Sequence, residues 1–358
     1  MSTWTKQKLG DVIEVYNGKA VEVKSLGTFP VYGSNGKIGY TSEANYCNAI
    51  VLGRVGAYCG SVMIERGDFW ASDNTIVVKN NNNADLGFLY YLLKNLNLNQ
   101  YAGGTAQPLI THTLLRQINV SVPKTPAQIR IASVLSVYDN LIENNEKRIK
   151  ALEEMVQLFY IEWFVKFKFP GHAKVKIVEN KFGKTPELWE TKRLDEVANI
   201  RGGKYLPREQ IKKVGPFPVF GGNGVQGYSE KSTHDGFVIA FGRVGAYCGS
   251  IHWSYNGAWL NNNSSSIVPK QYNELVLEHL RKYNFTNLRG GAAQPFISND
   301  VLGGVLIAMP TPDVANHYCN IMRSIRVQQV ALENMNISLR QIRDLLIPQL
   351  VTGKRELK

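Results

Sequence analysis

The 358-residue chain contains no apolar run near the roughly 20 residues that cross a bilayer. Its first residues, Met-Ser-Thr-Trp-Thr-Lys-Gln-Lys, hold no apolar segment of the signal-peptide kind. Cysteine is scarce. Cys47, Cys59, Cys248 and Cys319 form no C-x-x-C pair and have no zinc-type spacing to the six histidines. A disulfide framework and a zinc module are thereby excluded. A cytoplasmic chain without a membrane partner is expected, its thiols reduced and packed as small hydrophobes.

Catalytic signatures are missing as well. No G-x-x-x-x-G-K-[ST] occurs; Gly33-Ser34-Asn35-Gly36-Lys37 shares only glycine and lysine with it. No G-x-G-x-x-G opens a helix after a strand, so a dinucleotide site is not indicated. There is no Asn/Asp-Pro-Pro-Tyr/Phe tetrapeptide, no H-E-x-x-H and no G-x-S-x-G. The expectation is a chain that is not itself an enzyme, with no catalytic residue, no metal and no cofactor of its own.

What is present is repetition and positive charge. Apolar residues make up 44% of the chain and charged residues 20%, so it folds as a globular protein. Lys and Arg outnumber Asp and Glu by 41 to 29, a net +12 that favours a polyanionic partner. The excess is thin, +2 over residues 1–121 and +5 over 191–308, and forms no single basic patch. Residues 53–61 read Gly-Arg-Val-Gly-Ala-Tyr-Cys-Gly-Ser, and 242–250 repeat those nine letters. Phe29-Pro30-Val31-Tyr32-Gly33-Ser34-Asn35-Gly36 is echoed by Phe217-Pro218-Val219-Phe220-Gly221-Gly222-Asn223-Gly224, and Gly39-Tyr40 by Gly227-Tyr228. Trp70 and Asn74 answer Trp259 and Asn263, and Gly103–Ile110 answers Gly290–Ile297. A period this long means duplicated domains and not a solenoid.

Each copy then changes character. After Pro123 and Pro126 a heptad begins: Ile131, Leu135, Tyr138, Ile142, Asn145, Ile149, Leu152, Val156 and Phe159. After Pro310 and Pro312 a second is read over Val314, Tyr318, Ile321, Ile325, Gln328, Leu332, Met335, Leu339, Ile342, Leu346 and Gln349. Alternating steps of four and three over several heptads mark a coiled-coil seam, and each stripe has its partner in the other. The first maps onto the second by adding 190. Asn145 and Gln328 fall at polar seam positions of the register-setting kind. The glycine-rich parts read as α+β globules, with strands at 49–52, 61–64 and 75–78 and helices at 86–98 and 273–281. The predicted organisation is a globule over 1–121, a long helix over 122–168, an irregular linker over 169–190, a second globule over 191–308, and a second long helix with its tail over 309–358.

The polar residues kept in both copies are Asn, Gln, Arg, Lys and Tyr. They suit the reading of nucleic acid better than acid–base work. Candidates in the first copy are Lys19, Asn35, Lys37, Tyr40, Arg54, Tyr58, Asn74, Thr105 and Gln107. In the second they are Lys204, Tyr205, Asn223, Gln226, Tyr228, Arg243, Tyr247, Asn263 and Gln294. Arginine bonds a phosphate or pairs with guanine, glutamine pairs with adenine, and lysine contacts phosphate. Each kept residue has an equal alternative as a loop-fixing or packing group. Two half-sites of different sequence require residues that differ, which directs attention to Lys37 against Val225, Ile38 against Gln226 and Thr105 against Ala292.

Globule, long helix, globule, long helix resembles the specificity subunits of type I restriction–modification systems along essentially the whole chain. Trp4 with Lys8-Leu9-Gly10-Asp11-Val12, and Trp189 with Arg193-Leu194-Asp195-Glu196-Val197, are similar to that family's opening motif. So are the Gly-Arg-x-Gly loops, Gly-Gly-x-Ala-Gln-Pro-x-Ile, and Val122-Pro123 with Pro126, Gln128 and Ile131 leading into the helix. The tail Leu350-Val351-Thr352-Gly353 looks like the family's too. The second helix departs from the pattern, with Asn316 and His317 where the first has Gln128.

The resemblance implies two target recognition domains, each reading one half of a bipartite sequence in double-stranded DNA. It implies an antiparallel helix pair that sets the unread spacer and docks two methyltransferase subunits, with restriction subunits joining them. S-adenosylmethionine, ATP and Mg would belong to those partners. A centred antiparallel register sets Asn145 against Met335, Ile131 against Gln349 and Leu152 against Gln328. Two other readings stay open at this point: a self-contained restriction or methyltransferase fragment, and a coiled-coil scaffold with duplicated binding domains and no DNA.

Overall fold

The structure is a computed structural model in which residues 4–81, 83–103, 108–180, 183–291 and 294–357 are described. The chain forms two compact units, residues 1–148 with 331–358, and residues 149–330. Each holds one globule and part of both long helices.

In the first unit the strands are β1 (Trp4–Lys8), β2 (Ile13–Asn17), β3 (Phe29–Gly33), β4 (Gly36–Thr41), β5 (Tyr46–Gly53), β6 (Val62–Ala71), β7 (Thr75–Asn80) and β8 (Asn119–Pro123). Two short helices, α1 (Leu86–Asn95) and α2 (His112–Gln117), precede the long α3 (Thr125–Tyr160). A six-stranded sheet runs β2-β7-β5-β6-β3-β4, antiparallel except where β3 meets β6 at Val31 and Trp70. Asp85 caps α1 by accepting from Phe88 N at 2.8 Å. Buried Phe88, Leu89, Leu92 and Leu93 of that helix join Ile50, Leu52 and Ile76 of the sheet in one core. β1 pairs with β8 from Trp4↔Pro123 to Lys8↔Asn119, so the globule closes immediately before α3. Gln128, 1% exposed, locks that junction. Its Nε2 donates to Pro123 O at 2.8 Å, and its Oε1 accepts from Asp85 N at 2.9 Å.

In the second unit the elements are β9 (Ile177–Asn180), β10 (Gly183–Pro186), β11 (Glu190–Arg193), α4 (Leu194–Val197), β12 (Ala198–Gly202), β13 (Phe217–Gly221), β14 (Gly224–Ser229), β15 (Val238–Gly242), β16 (Ile251–Ser254), β17 (Trp259–Leu260) and β18 (Ser264–Pro269). Then come α5 (Asn273–Lys282), α6 (Asn299–Gly303), β19 (Leu306–Met309) and α7 (Pro312–Val351). β12-β18-β15-β16 and β14-β13-β17 form two sheets, and β11 pairs with β19 as β1 does with β8. The stretch expected as an irregular linker is instead packed structure. β9 and β10 pair within it, and Phe169 and Trp189 are buried with Tyr160, Trp163, Phe164 and Tyr318. Aromatic residues at both ends of a glycine- and proline-bearing segment gain more by burial than by acting as a tether.

The long helices pair antiparallel in both units. In the first, Asn145 Nδ2 donates to Asn336 Oδ1 at 2.8 Å, and Asp139 meets Arg343 at 2.6 Å, so partner numbers fall as α3 numbers rise. In the second, Gln329 Nε2 donates to Ile149 O at 3.3 Å and Arg326 meets Glu153 at 2.5 Å. On α3 the inward stripe contains Ile131, Leu135, Ile142, Asn145 and Val156 buried, with Tyr138, Ile149, Leu152 and Phe159 half-buried.

On α7 the expected seam is half corrected. Tyr318, Ile325, Leu332, Leu339 and Leu346 lie on the inward stripe. The alternate positions are one residue later than expected: Ala315, Met322, Gln329, Asn336, Arg343 and Leu350 replace Val314, Ile321, Gln328, Met335, Ile342 and Gln349. Met335 is 51% and Ile342 45% exposed, and Gln328 is exposed. Three of the true inward positions are polar and reach partners across the helix pair, while apolar neighbours flank them and shift an apolar-only reading. The stripes therefore map by 187 and not 190, and Asn145 faces Asn336 and not Met335. Leu350 and not Gln349 shares a core with Ile131. Gln329 and not Gln328 reaches the Ile149–Leu152 turn.

Candidate nucleic-acid interface

The repeated nine-residue loop is a hydrogen-bonded frame in each domain. In the first, Gly53 N donates to Ser61 O (2.9 Å), Gly60 N to Gly53 O (2.8 Å), Arg54 N to Asn74 O (3.0 Å) and Ile110 N to Arg54 O (3.0 Å). In the second, Gly242 N donates to Ser250 O (2.9 Å), Gly249 N to Gly242 O (2.7 Å), Arg243 N to Asn263 O (3.1 Å) and Ile297 N to Arg243 O (3.0 Å). Cys59 and Cys248 are buried beneath the loops and direct Sγ at Arg54 O and Arg243 O, at 3.2 and 3.3 Å. Burial pushes both thiols up from their ordinary range. Cys47, by contrast, is exposed. A Cβ on Gly53 would lie 2.4 Å from Tyr58 O and 2.5 Å from Ser61 Oγ, and one on Gly242 2.4 Å from Ser250 Oγ. No other residue fits there, because the backbone has closed to that distance. The identity of the nine letters is thus accounted for by the frame.

What the frame holds outward is different. Tyr58 is 58% and Tyr247 55% exposed at corresponding loop positions. Asn35 and Asn223 are exposed at the hairpins joining β3 to β4 and β13 to β14, and Asn74 and Asn263 are exposed beside the loops. Ser34 Oγ donates to Asn74 O at 2.7 Å and so ties hairpin to loop. Lys19 and Lys204 are exposed, their backbones clamped in the same way. Lys19 N donates to Ala71 O (2.9 Å) and Lys204 N to Leu260 O (2.8 Å), while the indoles of Trp70 and Trp259 donate to their carbonyls. Lys37 lies over Tyr40, its Nζ 2.8 Å from the hydroxyl. Tyr40 and Tyr228 are half-buried and bridge to Lys24 and Lys212. Arg54 and Arg243 are half-buried, and the Arg243 guanidinium stacks 5.0 Å from the Phe296 ring centre. Burial, and then the charges of Arg116 and Arg54, depress the His112 imidazole. Tyr205 is 70% exposed and Gln294 is exposed. Thr105 and Gln107 lie outside the described residues.

In the first unit Asn35, Tyr58 and Asn74 line one open cleft of about 650 Å³. The cleft also contains Val21, Val23, Ile38 and Ser72, of which only Ile38 stood out in the sequence. The others lie in a stretch that differs between the copies, so the repeat offered no signal for them. The offered polar groups are amides, phenols and ammonium groups, of the kind that bind bases and phosphates. Among the described residues no cluster of His, Cys, Asp and Glu could hold a metal ion, and no helix is long and apolar enough to cross a membrane.

Comparison with known proteins adds the family. The model for the type I restriction modification DNA specificity domain matches residues 1–154 and again 186–313. The specificity subunit of the type I restriction enzyme EcoprrI of Escherichia coli is 29% identical over 144 residues, 38% of this chain and 36% of that protein. That of MjaIX from Methanocaldococcus jannaschii is 24% identical over 298 residues, 75% of this chain and 68% of that protein. A crystal structure of the S subunit of a type I restriction–modification system from M. genitalium shares the fold, with TM-score 0.72 at 19% identity, covering 100% of this chain and 97% of that one. With its DNA specificity domain present twice, each copy on its own hydrogen-bonded frame, the chain belongs to the type I restriction–modification specificity subunits.

Proposed function

We propose that each globular domain reads one half of a bipartite sequence in double-stranded DNA, and that the paired helices set the spacer between the halves. The observation that carries this reading is one frame built twice with different residues around it: repeated loops position, and divergent neighbours discriminate. The same helices dock two methyltransferase subunits, which bring S-adenosylmethionine and methylate adenine. Restriction subunits with ATP and Mg complete the complex, and this chain supplies no cofactor and no chemical step. The complex works in the cytoplasm, where the DNA is.

The test is a map of N6-methyladenine in a host carrying this chain and its methyltransferase partner, compared with a deletion of this chain. A bipartite motif that vanishes on deletion is expected. No such motif, together with DNA binding that is insensitive to salt, would favour a protein-binding scaffold instead.

A further inference from the structure

The two domains differ most informatively at one pair of corresponding positions. In each, the residue two past the hairpin glycine folds back over a glycine of the preceding strand. Ile38 Cγ2 lies 3.1 Å from where a Cβ on Gly33 would be, and Gln226 Nε2 2.2 Å from the equivalent point on Gly221. Ser72 lines the cleft that Ile38 faces, and its counterpart in the second domain, Asn261, bonds Gln226.

The chemistry of the pair is opposite in the two domains. Ile38 is 44% exposed and Val23 42%, and both face the open cleft. Ser72, 5% exposed, lines the same cleft, and its Oγ is buried without a hydrogen-bond partner. A partly exposed apolar wall over an unanswered hydroxyl is a costly arrangement for a surface that meets only water. In the second domain the wall is polar. Asn261 Nδ2 donates to Gln226 Oε1 at 3.0 Å, and Asn261 Oδ1 accepts from Asn262 N at 2.6 Å. The Asn261 bond holds the Gln226 amide on the exposed face of β14 and uses neither of its Nε2 hydrogens nor its second Oε1 lone pair.

Resting on the reading of each domain as a half-site reader, we propose that Ile38 on its cleft wall and Gln226 held by Asn261 are the specificity-determining contacts, the first taking the 5-methyl group of a thymine and the second an adenine. The cleft wall formed by Ile38 and Val23 removes the methyl from water. Gln226 donates from Nε2 to adenine N7 and accepts from N6, a pattern guanine cannot meet because it presents two acceptors.

The experiment uses the full chain with its methyltransferase partner and DNA carrying the mapped motif. Deoxyuridine replaces each thymine of the first half-site in turn, and 7-deazaadenine each adenine of the second. One thymine position is expected to lose about fourfold in affinity, the worth of one buried methyl. One adenine position is expected to lose at least fivefold. With Ile38→Ala the deoxyuridine effect disappears while binding of the second half-site is unchanged. The exchanged pair I38Q/S72N, methylating in the host, is expected to change one base of the first half-site from T to A and leave the second half alone. Equal affinity for every substituted DNA, or an I38Q/S72N motif identical to the original, overturns the inference and leaves the half-site reading standing. Loss of any bipartite motif from the unsubstituted chain overturns that reading instead.

Discussion

Replacing Arg326 by methionine removes a cation on which the second unit is organised. Its side chain is 2% exposed and pairs with Glu278, itself 1% exposed, and with Glu153 at 2.5 Å. It also donates to Gln329 Oε1 at 2.8 Å and stacks 4.8 Å from the Trp253 ring centre. α5, α3 and α7 meet at this one group. Two unit charges 4 Å apart interact by about 4 kcal/mol at an effective dielectric of 20, and breaking a buried pair from one side costs roughly 3–5 kcal/mol. Arg281 remains 2.6 Å from Glu153 and 3.1 Å from Glu278, so the lower end, about 3 kcal/mol, is expected. The assay is amide hydrogen exchange of α5 in the full chain, which reads the opening of this unit by itself. In a double-mutant cycle with Glu278→Leu, at least ~1.5 kcal/mol should be recovered. The first unit supplies a further variant. At the equivalent positions Tyr91 donates to Asp139 at 2.6 Å, so hydroxyl–carboxylate stands where carboxylate–guanidinium stands in the second. R326D/E278Y transplants that pair and should protect α5 better than R326D alone. A loss below ~1 kcal/mol for Arg326→Met with no coupling in the cycle would refute the reasoning and reduce the network to the worth of a surface ion pair.

Four further outcomes are expected. His279 is pushed down to about 4 by burial, against which its bond to Ala308 O works. The folded state therefore stays neutral where the unfolded chain takes up a proton, and the second unit loses up to roughly 3 kcal/mol as pH falls from about 6.5 to 4. A flat exchange profile for α5 over that range would contradict this. Asn145→Leu strands Asn336 Oδ1 in a buried seam, while Asn336 Nδ2 keeps its bond to Ile142 O, and should cost about 1–3 kcal/mol, whereas N145L/N336L should be nearly neutral; thermal melting distinguishes them. Gly53→Ala drives a Cβ into Tyr58 O and should abolish readout by the first domain, seen as methylation that no longer depends on the first half-site. Seven residues inserted in each long helix at facing positions add about 10 Å, so the motif should keep both halves and gain roughly 3 base pairs of spacer.

The sequence was enough for the duplication, the α+β globules, the two long helices and the stripe of α3, because each rests on a local or strictly periodic pattern. The same logic placed Tyr318, Ile325 and Leu332 inward on α7. It failed at Gln329, Asn336 and Arg343, since a polar residue is recognised as interior only once its partner across the helix pair is known. It failed again at residues 169–190, where glycine and proline signalled a linker but Phe169 and Trp189 had a core to enter. For the site, repetition pointed to residues held in common, and these build the loop frame. Tertiary structure alone decided which divergent residues stand together. Ile38 and Ser72 line one cleft, and Gln226 bonds Asn261, although the two pairs are 34 and 35 positions apart along the chain; β4 or β14 and the turn before β7 or β18 come together only in the folded domain. Local chemistry and period can be read along a chain, whereas the pairing of distant polar groups exists only after the backbone has closed around them.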